Sequence, residues 1–178
     1  FEEFNASKYL KEEYARTLPA RIRMLIREHG IRNAVMLTVA PTGTISMVHG
    51  VSSGVEPIFA AMYKRRYREN NNWQETVVVD PLFKEYYKKG LSLDVFVGAY
   101  DVSPKQHMAV QAVFQRYIDS SISKTINLPG NATAEELSNT ALAFAPYLKG
   151  LTIYRAGSKG QEPLEAIPLN DENIQKYM

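Results

Sequence analysis

The 178-residue sequence contains no cysteine. Within these residues, that absence excludes a disulfide, a thiolate metal site, a thiol nucleophile and a thiyl radical. No apolar run approaches the roughly 20 residues that are needed to cross a bilayer, and no signal-peptide pattern opens the chain. We therefore predict a cytoplasmic protein that does not act in a membrane.

A large excess of either charge is also missing, because 21 Lys and Arg stand against 19 Asp and Glu, for a formal net charge of +2. This balance gives no chain-wide electrostatic footprint and argues against nucleic acid as the main partner. The run from Lys64 to Arg68 is a local exception, since it places an aromatic residue among basic ones, as nucleic-acid contacts do. The alternative is an exposed loop, and together with residues 70–72 the run predicts a polar excursion from the fold.

The remaining composition is typical of a globular protein. With 45% hydrophobic and 22% charged residues, wholesale disorder is not expected, and the length suits one domain or a large piece of one. The chain begins at Phe1 rather than Met and enters a helical pattern almost at once. We therefore expect a fragment or a processed product.

Apolar segments that alternate with helical patterns predict an α/β fold with parallel strands. Residues 34–40 form a nearly continuous apolar run with β-branched members, which is typical of a strand buried on both faces. Residues 122–128 alternate apolar and polar side chains, and residues 151–154 indicate a last strand. Three strands close a sheet poorly, so we expect the rest of the sheet to lie outside this chain.

Capping residues predict helices over about 80–90, 103–119 and 133–146. The second of these helices carries apolar residues at three- and four-residue steps, which we expect to face the core. These residues are Met108, Ala112, Val113 and Tyr117.

The strongest local candidate for a binding site is the turn after the first predicted strand, Thr42-Gly43-Thr44-Ile45-Ser46. Small and hydroxylated residues allow backbone N–H groups to converge on an anion, and a helix that begins there adds its dipole. A phosphate is the natural ligand of such a turn, and an ordinary strand-to-helix turn is the alternative. The Lys-Ser/Thr ending of a Walker loop is missing, and the chain contains no GxGxxG.

The three histidines do not have the spacing of a metal site or a Ser-His-Asp triad. We expect His29 to interact with a helix end and His107 to pack in the core, whereas His49 follows the turn closely enough to touch a ligand. Glu56, which precedes Pro57, is a candidate catalytic carboxylate, and a helix cap or a salt bridge is its alternative role.

Several separated motifs, in the same order along most of residues 5–158, resemble the C-terminal part of the ribonucleotide reductase catalytic barrel. The matching segments are residues 32–34, 37–38, 40–46, 50–59, 63–66, 107–111, 114–115, 119–129 and 148–155. Residues 42–46 and 121–127 are more similar to the adenosylcobalamin-dependent class than to the tyrosyl-radical class. The tyrosine pair of the latter class should fall near residues 152–154, where only Tyr154 is present.

The resemblance implies a ten-stranded α/β barrel, of which residues 1–158 form the C-terminal part. The composition of residues 159–178 predicts a surface loop and tail. It implies that Thr42, Gly43, Thr44, Ile45 and Ser46 bind the phosphates of a ribonucleotide substrate. In the family, a thiyl radical starts the removal of the ribose 2′-hydroxyl, and in this class adenosylcobalamin generates the radical. The implied partners are the substrate and either the N-terminal remainder of the barrel or a second copy in a homo-oligomer.

The sequence also departs from the family pattern. The radical cysteine, the reducing cysteine pair and the assisting Asn and Glu belong to motifs that are not found here, so no catalytic residue and no metal ligand are assigned in this chain. Ala156 stands where the family usually carries Asp. We expect the chain to be inactive alone and to expose apolar strand edges that dock onto another chain. The alternatives are a stand-alone phosphate- or nucleotide-binding domain that lost catalysis and a nucleic-acid-binding module that uses Lys64 to Arg68.

Overall fold

The computed structural model describes residues 2–158, 160 and 162–178, which fall into two compact units. The first unit contains the chain up to Pro41 together with Pro104–Ile126 and Thr133–Thr152. The second unit contains Thr42–Ser103, Asn127–Ala132 and Ile153–Met178. Each unit is therefore assembled from segments that are distant in the sequence.

Short helices and strands follow one another along the described chain. The helices are α1 (Ala6–Tyr9), α2 (Glu13–Thr17), α3 (Ala20–His29), α4 (Gly43–His49), α5 (Pro81–Lys88), α6 (Pro104–Gln115), α7 (Ala134–Phe144) and α8 (Asp171–Tyr177). The strands are β1 (Met62–Glu69), β2 (Asn72–Val79), β3 (Thr125–Leu128), β4 (Thr152–Arg155) and β5 (Leu164–Ala166). A 3₁₀ turn, Ala145–Tyr147, follows α7.

Each unit has a small apolar core of its own. The first core consists of Leu10, Ala15 and Ile26 and joins the first three helices. The second core consists of Ala61, Met62, Phe83 and Ile167. Since these four residues lie at the start of β1, on α5 and directly after β5, their burial holds a hairpin, a helix and the C-terminal segment together.

The second unit is organised around a three-stranded antiparallel sheet in the order β2–β1–β5. Lys64 to Arg68 are therefore not the expected exposed loop, because these residues lie inside β1 and pair with β2, although the far end of the hairpin is polar and exposed as expected. Asn70 and Asn71 have φ angles of 48° and 65°, as a type I′ hairpin turn requires. The strand has no recognisable pattern in the sequence because long basic side chains occupy both of its faces.

The described part of residues 159–178 is not the expected surface loop and tail. Strand β5 pairs antiparallel with residues 63–65 of β1, and the N–H of Ile167 donates to the carbonyl of Met62 at 2.9 Å. Helix α8 follows, with the side chain of Asn170 accepting a hydrogen bond at its start. The residues that pair with this segment lie about a hundred positions earlier in the sequence. No local sequence pattern therefore predicts its strand.

The apolar segment 34–40 is not a strand buried on both faces. It is mostly exposed and forms one isolated parallel bridge, between Val39 and Ile122. The N–H of Ser120 donates to the carbonyl of Leu37 at 3.1 Å, which keeps the two segments side by side. The parallel direction was expected, but the segment stays exposed because it pairs with one neighbouring segment only in the described part of the chain.

The buried face of α6 is largely polar and differs from the expected apolar stripe. Val113 and Tyr117, which were expected in the core, are 61% and 55% exposed, whereas Met108 is buried as expected. The buried residues of the helix are His107, Met108, Gln111 and Gln115.

Helix starts are the features that the sequence predicts best. The carboxylate of Asp80 accepts from the N–H groups of Leu82 and Phe83 at 2.9 and 3.0 Å, as expected for the helix that begins there. Thr133 and Glu136 form the expected capping box at the start of α7.

The described strands form two small sheets, β2–β1–β5 and β3–β4, and no closed barrel. The pairs β1–β2 and β1–β5 are antiparallel, whereas the bridge between residues 39 and 122 is parallel, as expected. No helix in the described part of the chain has the length and apolarity that a membrane span requires.

Candidate phosphate-binding loop

The turn from Thr42 to Ser46 opens α4 with an unusual backbone conformation. Thr42 has φ 46° and ψ 17°, in the left-handed region that β-branched residues rarely adopt. From Gly43 onward the chain is helical. The first turn is closed by Ser46, whose N–H donates to the carbonyl of Thr42 at 3.0 Å and whose hydroxyl donates to the carbonyl of Gly43 at 2.9 Å.

Three consecutive amides at this turn remain available to a ligand. Within the described residues, the N–H groups of Gly43, Thr44 and Ile45 have no hydrogen-bond acceptor, and all three residues are exposed. A Cβ added to Gly43 would meet no atom within 4 Å, so the space beside these amides is open. A left-handed residue next to right-handed ones directs successive N–H groups toward one point, which is the geometry of an anion-binding nest.

A second loop is attached to the same turn. The N–H of Gly54 donates to the hydroxyl oxygen of Thr42 at 3.1 Å, and Gly54 itself adopts φ 49°. The N–H of Glu56 donates to the carbonyl of Ser53 at 2.9 Å and closes this loop. Because the Thr42 oxygen is an acceptor here, its hydroxyl proton is still able to donate elsewhere.

The other sequence candidates are divided between the two units. His49 lies exposed in the last turn of α4, and Glu56 is half-buried in the loop just described. In the first unit, His29 ends α3 and is exposed, with its Nε2 3.8 Å from a carboxylate oxygen of Glu28. His107 is buried, as expected, and its Nδ1 lies 3.0 Å from the amine of Lys124.

Sequence reasoning missed a buried polar cluster in the first unit. The side-chain nitrogen of Gln115 donates to the carbonyls of Ile118 and Ser120, and its oxygen accepts from the N–H of Lys149 at 3.2 Å. One turn earlier, the side-chain nitrogen of Gln111 donates to the carbonyl of Gly150 at 2.8 Å. The only sequence signal was the four-residue spacing of polar residues at 107, 111 and 115, which is ordinarily read as a solvated face.

Asp119 is a second feature that the sequence analysis did not single out. Its two carboxylate oxygens accept from the consecutive N–H groups of Met36 and Leu37 at 2.7 and 2.6 Å. The amine of Lys149 donates to the backbone carbonyl of Asp119 at 2.7 Å. Asp119 therefore holds the extended segment that leads through Pro41 to the turn.

Comparison with known protein families identifies the family of this chain. Residues 1–154 match the family model described as ribonucleotide reductase, barrel domain. The chain belongs to this family. The resemblance that the motifs suggested is thereby confirmed.

Two ribonucleotide reductases illustrate the relationship. The chain is 37% identical over 192 residues to the vitamin B12-dependent ribonucleoside-diphosphate reductase of Thermoplasma acidophilum, and the match covers 93% of this chain and 24% of that protein. It is 31% identical over 160 residues to the protein of the same description from Mycobacterium tuberculosis strain CDC 1551, covering 77% of this chain and 23% of that protein. The chain thus spans about a quarter of the length of these curated relatives.

A solved reductase structure supports the fold. A crystal structure of a B12-dependent (class II) ribonucleotide reductase matches 78% of this chain and 22% of that protein, with a TM-score of 0.53 and 21% identity. The described residues of this barrel-domain segment contain no group of three or more His, Cys, Asp or Glu side chains that could hold a metal ion. The amides of residues 43–45 are therefore the best-defined candidate binding feature of this reductase segment.

Proposed function

We propose that this chain is the substrate-phosphate-binding part of an adenosylcobalamin-dependent ribonucleotide reductase. The observation that carries the proposal is the row of three exposed N–H groups at Gly43, Thr44 and Ile45, which follows the left-handed Thr42. Hydrogen bonds from such groups to a charged acceptor contribute about 1.5–3 kcal/mol each. A di- or triphosphate offers several oxygens to a nest of this kind.

Each residue of the loop has a distinct part in the proposal. Gly43, Thr44 and Ile45 donate their backbone N–H groups, and Gly43 also leaves the approach open because it has no side chain. Thr42 sets the direction of the amides and adds a hydroxyl donor. Ser46 shapes the loop instead of binding, because its N–H and its hydroxyl already donate to the carbonyls of Thr42 and Gly43.

The reduction itself is proposed to take place in the complete enzyme. The chain has no cysteine to carry a thiyl radical or to supply electrons, so we propose that it is inactive alone. In the complete enzyme, adenosylcobalamin supplies the radical by homolysis of its cobalt–carbon bond. No residue of this chain is assigned to that cofactor.

The partner in this proposal is the remainder of a ten-stranded barrel in the cytoplasm. Exposed apolar residues of the segment 34–40 support it, since Val35, Met36 and Leu37 are 52%, 49% and 46% exposed. Strand residues of this kind are ordinarily covered by a neighbouring strand or helix. The Thermoplasma and Mycobacterium relatives, about four times as long, carry enough chain for such a remainder.

Substrate kinetics of the complete reductase test the proposal. Replacing Gly43 with Val places a branched side chain in the open space above the amides, so we expect the KM for the ribonucleotide to rise at least tenfold, as about 1.4 kcal/mol of lost binding gives. The matched control is Gly160→Val, at an exposed glycine whose added Cβ also meets no atom within 4 Å. Unchanged KM and turnover in Gly43→Val would show that the loop does not bind phosphate.

A stand-alone phosphate-binding domain that lost catalysis is the second candidate, since the three exposed N–H groups of residues 43–45 fit it equally well. The coding sequence upstream of Phe1, or a neighbouring gene, separates the two. Cysteine, Asn and Glu motifs of the reductase barrel in either place support the enzyme. Their absence from both, together with phosphate binding by the isolated chain, supports the stand-alone domain.

A further inference from the structure

The tip of the β1–β2 hairpin is exposed on both faces. The two strands pair over eight positions, from Met62 opposite Val79 to Glu69 opposite Asn72. Strand β5 pairs with residues 63–65, so no third strand accompanies the distal half of the hairpin in the part of the chain that the structure describes. Every residue from 67 to 76 is exposed. The side chains of this part of the hairpin therefore face solvent instead of a core.

An arginine lies over an aromatic ring on each face of this tip. Arg68 is directly opposite Trp73 in the register, and its guanidinium carbon is 5.0 Å from the centre of the indole ring. Trp73 is nevertheless 54% exposed. On the other face, Arg65 lies 5.6 Å from the ring centre of Tyr67, which is 36% exposed.

The basic residues of the hairpin divide into two groups. Lys64 and Arg66 are neutralised, because Glu75 lies 3.5 and 2.9 Å from them and Glu165 lies 2.7 Å from Arg66. Arg65 and Arg68, the two arginines over aromatic rings, have no carboxylate within 4 Å among the described residues. Glu69 is the one carboxylate within residues 65–73, so the tip keeps a small net positive charge.

The turn adds side-chain amides to the aromatic rings and arginines of the tip. Asn70, Asn71 and Asn72 are consecutive and exposed, and Asn71 is followed within two residues by Trp73. An amide side chain offers both donors and an acceptor, so it is able to pair with the edge of a nucleobase. One arginine, three asparagine amides and one indole ring thus occur together within six consecutive residues, from Arg68 to Trp73.

We propose that this hairpin tip, residues 65–73, binds single-stranded nucleic acid. Unpaired bases stack on the exposed faces of Trp73 and Tyr67, Arg65 and Arg68 contact the phosphates, and the asparagine amides contact base edges. A single strand fits better than a duplex, because only unstacked bases offer their faces to aromatic side chains. An acidic peptide would satisfy the arginines but would leave the two rings and the amides without a complementary group. This proposal is independent of the phosphate loop of residues 42–46.

The only tryptophan of the chain is Trp73, so its fluorescence reports on this site alone. Titration of the 178-residue protein with an oligothymidylate should quench that fluorescence to saturation, since a stacked base quenches indole emission. Two phosphate contacts predict a slope of log K against log salt of about −1.4, from about −0.7 per phosphate for single strands. Polyglutamate and duplex DNA at equal charge concentration are the competing ligands, and equal or greater quenching by either would overturn the proposal.

Substitutions measured with a labelled oligonucleotide complete the test. Trp73→Ala should weaken binding about five- to 150-fold, the range for loss of one stacked base, whereas Trp73→Phe should retain most of the affinity. Arg68→Gln should reduce the salt slope by about 0.7, while Arg21→Gln, at an exposed arginine of α3, should not change it. Circular dichroism verifies that each variant is folded. Equal affinity of Trp73→Ala and the unmodified chain, or no saturable binding, would refute the proposal.

Discussion

Replacing Gly43 with Ala separates phosphate binding from folding more cleanly than any other substitution in the loop. Gly43 is the first residue of α4, and a Cβ placed there meets no atom within 4 Å. The substitution therefore introduces no clash. Alanine is also favoured over glycine in a helix by about 0.5–1 kcal/mol, so the free energy of unfolding should stay the same or increase by up to that amount.

Binding should change in the opposite direction. The new methyl group occupies open space beside the amides, and we expect it to hinder the approach of a phosphate oxygen to within about 2.9 Å of the amide nitrogens. Loss of one hydrogen bond to a charged acceptor costs about 1.5–3 kcal/mol, which corresponds to a dissociation constant about 10- to 150-fold higher. A variant that is at least as stable but binds more weakly is difficult to explain unless the ligand occupies this space.

The assay is a titration of the ¹⁵N-labelled chain with inorganic pyrophosphate. In the unmodified protein, the amide signals of Gly43, Thr44 and Ile45 should shift most, while that of Ser46 should shift less because its N–H already donates to Thr42. Gly160→Ala is the matched control, since its added Cβ also meets no atom within 4 Å. If the three amide signals do not move with pyrophosphate, or if both glycine variants bind equally, the phosphate role is refuted.

Three further substitutions test other parts of the structure. Asp119→Asn leaves one acceptor oxygen for the two N–H groups of residues 36 and 37, and it should lower the free energy of unfolding by about 1–3 kcal/mol in a urea titration. The hydrogen bond from Arg66 lowers the pKa of Glu75 in the folded protein. The ionised Glu75 therefore stabilises the fold fully above the ordinary glutamate pKa of about 4.3, and this stabilisation is lost as the pH falls through the lower folded pKa. Glu75→Gln should remove that part of the acid sensitivity of the free energy of unfolding. Thr133→Ala removes the cap of α7 and should cost about 1 kcal/mol by the same urea measurement, whereas an unchanged midpoint would show that the capping box does not stabilise the helix.

The candidate site was predictable in position but not in detail. The small and hydroxylated residues after an apolar run indicated an anion-binding turn, and the family motifs pointed to the same residues. The sequence did not predict the left-handed conformation of Thr42. It also did not predict that both hydrogen-bond donors of Ser46 are used inside the turn. These features depend on backbone angles, and a β-branched residue such as Thr gives no sign of a positive φ.

Helix boundaries, by contrast, follow from the sequence itself. Asp80 begins α5 and Thr133 begins α7 because a cap satisfies N–H groups only two or three residues further along the chain. All the partners of such an interaction lie within one short window. Tertiary contacts therefore have little influence on where these helices begin.

Burial and strand pairing were decided by tertiary structure alone. The polar face of α6 is buried because the backbone carbonyls of residues 118, 120 and 150 accept hydrogen bonds from Gln115 and Gln111. The basic strand β1 forms because β2 and the distant β5 pair with it, although its sequence shows no alternation of apolar and polar residues. The apolar segment 34–40 stays exposed because a strand is buried only when neighbours cover both of its faces. The sequence by itself thus determines interactions between residues that are a few positions apart. Interactions between residues about a hundred positions apart are decided only by the tertiary structure.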